Sequence, residues 1–137
     1  MPAYLLDSGI LIRHLRNRPG YHVLVKRLNS AGDLHISAFT HVEVLRGMRE
    51  HERERTFALL DGFATHAIDR ATADRAGELL RVWQSRGVIL GGPDAIIAAS
   101  AFQVGAALIT TNARHFPMPE LIVLAADEDG QLTTVNR

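Results

Sequence analysis

Tyr4-Leu5-Leu6-Asp7-Ser8-Gly9-Ile10-Leu11-Ile12 is the stretch whose reading decides the fold. Its first apolar residues have the character of a short buried strand, and a second apolar run begins only after an acid and a serine. An aspartate at the carboxyl end of a first strand, followed by a residue able to cap a helix, sits where open α/β sheets bind their ligands. The stretch therefore predicts a strand, a site and a helix, in that order.

Outward from there, residues 3–7 read as strand and 8–16 as a helix with Ile10, Leu11 and Leu15 on its apolar side. Pro19-Gly20 punctuates the chain. A second helix is predicted over 21–29, and Leu34-His35-Ile36-Ser37 as the second strand. Residues 38–49 place Phe39, Val42 and Leu45 on one helix face, and after a charged break at 50–53 a further helix runs through Phe57, Leu59 and Leu60 to Gly62. A brief strand is expected at 65–68. Asp69 then caps a longer helix in which Ala73, Ala76, Leu79, Leu80 and Trp83 recur at three and four residues, which assigns Trp83 to the core. Val88-Ile89-Leu90 is a short apolar connection. Gly91-Gly92-Pro93 leads into a helix over 94–104 that is apolar nearly all round, as expected of one buried between a sheet and other helices. Ala106-Ala107-Leu108-Ile109-Thr110 and Leu121-Ile122-Val123-Leu124 are continuous strand runs of the parallel-sheet type. Alternation of strands and helices predicts an α/β fold: a doubly wound, mostly parallel sheet of four to five strands with helices on both faces. The polar residues after about 126 are expected to be a loosely ordered tail.

With 137 residues, 47% of them apolar, the chain is expected to form one domain over 1–137. Fifteen Lys+Arg balance fifteen Asp+Glu, so any nucleic-acid contact must rest on local basic clusters rather than an overall field. The absence of cysteine rules out a disulfide framework and a thiolate zinc site and fits a reducing compartment. No basic region followed by a long apolar run opens the chain and no segment has the length of a membrane span. The expectation is a soluble cytoplasmic protein with no membrane partner.

Three carboxylates occupy apolar surroundings or element ends: Asp7, Glu43 and Asp94. Each alone has an ordinary use. Asp7 and Asp94 can cap the helices beside them, and Glu43 can pair with Arg46 on its own helix. In a doubly wound sheet, however, all three can reach one rim at the strands' carboxyl ends. Carboxylates that converge without a cation repel one another, and a hard divalent ion, Mg²⁺ or Mn²⁺, resolves the repulsion. Zinc is disfavoured: His51-Glu52 begins like a zincin helix, but the second histidine's place is taken by Arg55. Gly91 and Gly92 read as a turn, since no phosphate-loop lysine follows.

Leu5-Leu6-Asp7-Ser8, Ser37-Ala38 through Glu43-Val44-Leu45-Arg46-Gly47, Pro93-Asp94-Ala95-Ile96-Ile97-Ala98-Ala99 and the strand into Thr111-Asn112-Ala113-Arg114-His115-Phe116 follow one another in a recognisable order. In that order the chain resembles the PIN-domain family, and within it the VapC-type toxins of bacterial toxin–antitoxin systems, from about Ala3 to Val123. The resemblance implies a Mg²⁺- or Mn²⁺-dependent endoribonuclease in which Asp7, Glu43 and Asp94 bind metal. A fourth position, often aspartate in the family, is Asn112 here, which offers an amide oxygen but no charge. Ser8 and Thr111 are candidate hydroxyls for water or phosphate. Arg46 and Arg114 are the first candidates for RNA phosphate among local bases that include Arg13, Arg16, Arg18, Arg49 and His115. The resemblance also implies a cognate antitoxin covering an apolar groove and the acids, and a toxin homodimer. Two other classes compete. An aspartyl phosphatase would need a second acid at position 9, where Gly9 stands; a non-catalytic PIN-like module that binds RNA or protein is compatible with Asn112.

Overall fold

Residues 1–135 are described here in a computed structural model of the chain. The six strands are β1 (Ala3–Leu6), β2 (Asp33–Ser37), β3 (Ala64–His66), β4 (Ala107–Thr110), β5 (Val123–Ala126) and β6 (Leu132–Thr134). The helices are α1 (Ser8–Leu15), α2 (Tyr21–Ala31), α3 (Ala38–Arg46), α4 (Arg53–Asp61), α5 (Arg70–Ser85) and α6 (Gly92–Val104). One sheet in the order β3-β2-β1-β4-β5-β6 contains all the strands, parallel except for β6. The chain builds outward from β1 to β3 on one side, then crosses to β4 and β5 on the other. The carboxyl ends of β1 and β4 thus form the topological switch point, the crevice where such sheets take their ligands.

Strand alternation divides the core between the two faces. Leu6, Ile36 and Ile109 pack with Ile10, Leu11, Tyr21, Leu24 and Leu60 under α1, α2 and α4. Leu5 and Leu108 pack on the other face with Ile97, Ala98 and Ala101 of α6. Helix α6 buries Ala95, Ile97, Ala98, Ala99 and Ala101, as its all-round apolar sequence requires. Trp83 is only partly buried: its ring packs against the Leu90 and Ile97 side of the core while the Arg86 guanidinium lies 4.9 Å from its centroid. Its core assignment is corrected to the core's margin.

The sheet has six strands rather than four to five, and the difference lies in the residues expected to be loose. Asp127 Oδ1 accepts from the N–H groups of Asp129 and Gln131, closing a turn that returns the chain as β6 along β5. Tyr21 donates its hydroxyl to the Asp127 carbonyl at 2.6 Å, tying the turn to the start of α2. β6 is polar and largely exposed, so it carries no strand periodicity; Asp129-Gly130 is the hairpin signal that marks it.

Candidate active site

Asp7 follows β1 directly, and the register places it beside Thr110, since Leu6 pairs with Ile109. Its N–H donates to the Ile109 carbonyl at 2.9 Å. The side chain is only 8% exposed, yet both oxygens are engaged. Oδ1 accepts from the Ser8 N–H at 2.9 Å as the N-cap of α1, and Oδ2 accepts from the buried Thr110 hydroxyl at 2.8 Å. Thr110 Oγ1 in turn accepts from the Asn112 N–H at 3.0 Å, so the loop after β4 is fastened to the same carboxylate. Asp7 therefore does serve as a cap, and it is also the best-held acid of the rim.

Glu43 comes from the second turn of α3, which starts at the carboxyl end of β2 with Ser37 as its cap. Asp94 lies in the first turn of α6 and makes no capping bond, although the positive end of the helix favours its charge. Electrostatics brings the three together. Burial pushes the Asp7 carboxyl up, offset by the Thr110 and Ser8 hydrogen bonds and by His115. Burial also raises Glu43; repulsion from Asp7 and Asp94 adds to the rise, and Ser8 and Arg46 offset it. Asp94 is raised by burial and by Asp7, and lowered by His115, whose Nδ1 stands 3.6 Å from Asp94 Oδ2. Arg46 acts on Glu43 only at a distance: no ion pair joins them among the described residues.

The other expected residues divide. Ser8 donates its N–H to Asp7, and its side chain lies near enough to Glu43 to offset part of that acid's rise. Thr111 is turned toward α1: its hydroxyl accepts from Arg13 Nη1 at 3.3 Å. A Cβ on Gly9 would come 2.6 Å from that Oγ1, so glycine is what lets the loop approach the helix. Asn112 and Arg114 are exposed on the loop after β4, and Asn112 is tied in through its backbone. Sequence reasoning missed Thr110, which reads as the end of an apolar strand, and the pairing of His115 with Asp94.

Among the described residues no three His, Asp or Glu side chains stand grouped closely enough to cage a metal. The donor set nevertheless fits a hard cation. Magnesium-type ions are held by one or two carboxylates with water and phosphate completing the shell, and each Asp7 oxygen keeps a lone pair beyond its one hydrogen bond.

The sequence profile of the PIN domain matches residues 4–119. The chain belongs to the PIN-domain family. Among its relatives, the ribonuclease VapC19 of Mycobacterium tuberculosis is 35% identical over 119 residues, covering 85% of this chain and 95% of that protein. A toxin–antitoxin complex from Klebsiella pneumoniae contains a chain 31% identical, with a TM-score of 0.69 over 83% of this chain and 90% of that one. The VapBC2 structure from Rickettsia felis, bound to a promoter DNA fragment, shares the fold with a TM-score of 0.79 at 23% identity, over 91% of this chain and 99% of that one. The PIN fold accounts for the placement of the acids at the sheet's switch point.

Proposed function

We propose that this PIN-domain protein is a metal-dependent endoribonuclease and the toxin of a toxin–antitoxin pair, acting in the cytoplasm. One observation carries the reading: a buried, doubly hydrogen-bonded Asp7 at the switch point, with Glu43 and Asp94 close enough that its charge helps raise both of their pKa values. The relatives named as ribonucleases add support.

Asp7, Glu43 and Asp94 would hold Mg²⁺ or Mn²⁺, with Asp7 as the fixed ligand and the other two on separate helices. When bound, the ion supplies Lewis-acid activation of water and neutralises charge on the scissile phosphate. Thr110 orients Asp7 and favours its ionised form by donating to it, and the Ser8 side chain offsets part of the rise at Glu43. Arg46 and Arg114 bind RNA phosphates, and Arg13, steadied by Thr111, extends that basic margin. Asn112 contributes an uncharged amide oxygen to the water or the phosphate.

A groove of about 340 Å³ between α1, α3 and α4, with Ile12, Leu15, Val44 and Met48 on its floor and Arg16 and Arg49 at its edge, suits an antitoxin segment. An antitoxin arginine reaching the acids would replace the cation's charge. The active toxin is a homodimer in this reading.

The test is Mn²⁺ binding by calorimetry on partner-free protein, followed by cleavage of total cellular RNA, for wild type, Asp7→Asn and Asp94→Asn. Binding and cleavage by wild type are expected, with cleavage falling at least 10²-fold in both folded variants. A folded wild type that binds no Mn²⁺ would favour the non-catalytic, RNA- or protein-binding module. That second reading draws on the missing fourth charge at Asn112 and on the open spacing of the acids.

A further inference from the structure

At the end of α1 away from Asp7, residues 16–20 turn the chain into α2. His14, in the last turn of α1, and His22, in the first turn of α2, meet across that corner with ring centroids 4.0 Å apart and planes 28° from parallel. Asn17 fastens both: its N–H donates to the His14 carbonyl at 3.1 Å, and its side-chain oxygen lies 2.9 Å from His22 Nε2. It does so at a φ of 56°, in the left-handed region that asparagine tolerates and most side chains resist. His14 Nδ1 is buried without a hydrogen bond of good geometry, so the ring is held by its face rather than by a partner. Stacked rings aim their nitrogens side by side rather than at one point, so the pair does not chelate a metal ion.

Such a stack holds while at most one ring is charged, because two imidazolium ions face to face repel. Nothing around it supplies a compensating negative charge. The cavity of about 400 Å³ beside the rings has Val25, Leu34 and Phe63 as apolar walls and Lys26 and Asn29 as polar ones, and no acid lines it. From α4, Arg55 acts on His14 while donating to the Leu15 carbonyl at 2.6 Å, and Glu52 pairs with that arginine at 3.9 Å rather than with an imidazole. Arg13, Arg18, Asp127 and Asp129 act on the Tyr21 hydroxyl. Burial pushes the His14 imidazole below its ordinary 6.5; His22 and Arg55 add to the fall, and the Tyr21 backbone offsets part of it. We infer that the His14–His22 stack is an acid-opened latch: it closes the α1–α2 corner while one ring or neither is charged, and a second proton drives the rings apart. Imidazoles change charge between about pH 5 and 8, so the latch works within that range. A histidine with a depressed folded pKa contributes stability above its unfolded value and loses it as pH falls through the folded one, which is the sign an acid-opened latch requires. The effect reaches the groove between α1, α3 and α4, since Leu15 and Arg16 beside the latch line it. Acid therefore frees the α1 side of that groove to move. The latch is a property of the fold and stands whether or not the rim cleaves RNA.

The test uses wild type, His14→Phe and His22→Phe; each variant keeps a ring in the stack and removes one of the two charges. The His14 ring is titrated by NMR in wild type and His22→Phe, and its midpoint is expected to rise in the variant, where the facing charge is gone. Because phenylalanine keeps the His14 ring covered, a rise reports charge rather than burial; an unmoved or lower midpoint overturns the latch. Amide exchange, corrected for its intrinsic dependence on pH, then reads the corner. The N–H groups of Arg16, Asn17 and Arg18 are bonded to the carbonyls of Ile12, His14 and Arg13. Between about pH 7.5 and about pH 5 they should lose roughly fivefold protection in wild type, the size set by two charges about 4 Å apart under water-like screening, and keep it in both variants. The Leu108 N–H, bonded to the Ile122 carbonyl within the sheet, is the reference and should not change. Protection retained by wild type at the lower pH, or lost equally by all three proteins, overturns the latch. If one variant fails to fold at the higher pH, the other decides the comparison, since each removes one charge of the pair.

Discussion

The carboxylates of this protein fall into two groups that behave in opposite ways. In the short turn before α4, on the outer face of α5 and at the start of α5, acids are satisfied. A hydrogen bond from Arg53 holds Glu50 below its ordinary pKa, one from Arg81 does so for Glu78, and the Thr72 N–H does so for Asp69 as a cap. At the switch point of the sheet Asp7, Glu43 and Asp94 are all raised by burial, and no arginine forms an ion pair with any of them among the described residues. Among the described residues no Lys or Arg stands in an ion pair with these three. A partly desolvated acid cluster without an arginine or lysine partner costs stability when no cation is bound, which is how functional sites differ from surface charge.

The largest expected effect separates the hydrogen bonds that hold Asp7 from its charge. Thr110→Val, nearly isosteric, removes the donor to Asp7 Oδ2 and the acceptor for the Asn112 N–H. It should destabilise the fold by about 1–3 kcal/mol in denaturant unfolding. The same change removes an interaction that lowers the Asp7 pKa, so the acid limb of the cleavage profile should move to higher pH. An unchanged limb would mean that Asp7 need not be ionised.

A smaller effect of opposite sign is expected from Asp94→Asn and Glu43→Gln. A carboxyl raised in the folded state contributes stability below its unfolded pKa and loses it as pH rises through the folded value. At neutral pH both acids therefore disfavour the metal-free fold, and each variant should melt roughly 1–3 °C above wild type in EDTA. The gap should close as pH falls toward the ordinary carboxylate values of 3.8 and 4.5. Added Mn²⁺ should stabilise wild type more than either variant. A variant that melts lower at neutral pH would show that the attraction of His115 or Arg46 outweighs repulsion.

The smallest effect belongs to the other group. Glu78→Gln removes an exposed pair with Arg81 at 2.8 Å, and neither the melting midpoint nor RNA cleavage should change measurably. A clear loss of cleavage would place that helix face in the RNA interface and weaken the contrast between the two groups.

The sequence by itself determined the order of elements, the buried character of α6 and the acids at Asp7, Glu43 and Asp94. Apolar runs and their periods are local properties, and an acid in an apolar stretch stands out without coordinates. Even the hairpin that adds β6 had its local mark in Asp129-Gly130, although its polar strand had none. Tertiary structure alone decided what those acids touch. The register that sets Leu6 against Ile109 brings Thr110 to Asp7, across 103 positions of chain, and the packing of the loop after β4 brings His115 to Asp94 and turns Thr111 to Arg13. Hydrogen-bond partners and mutual repulsion depend on distances between segments far apart in sequence, and no local pattern encodes those distances.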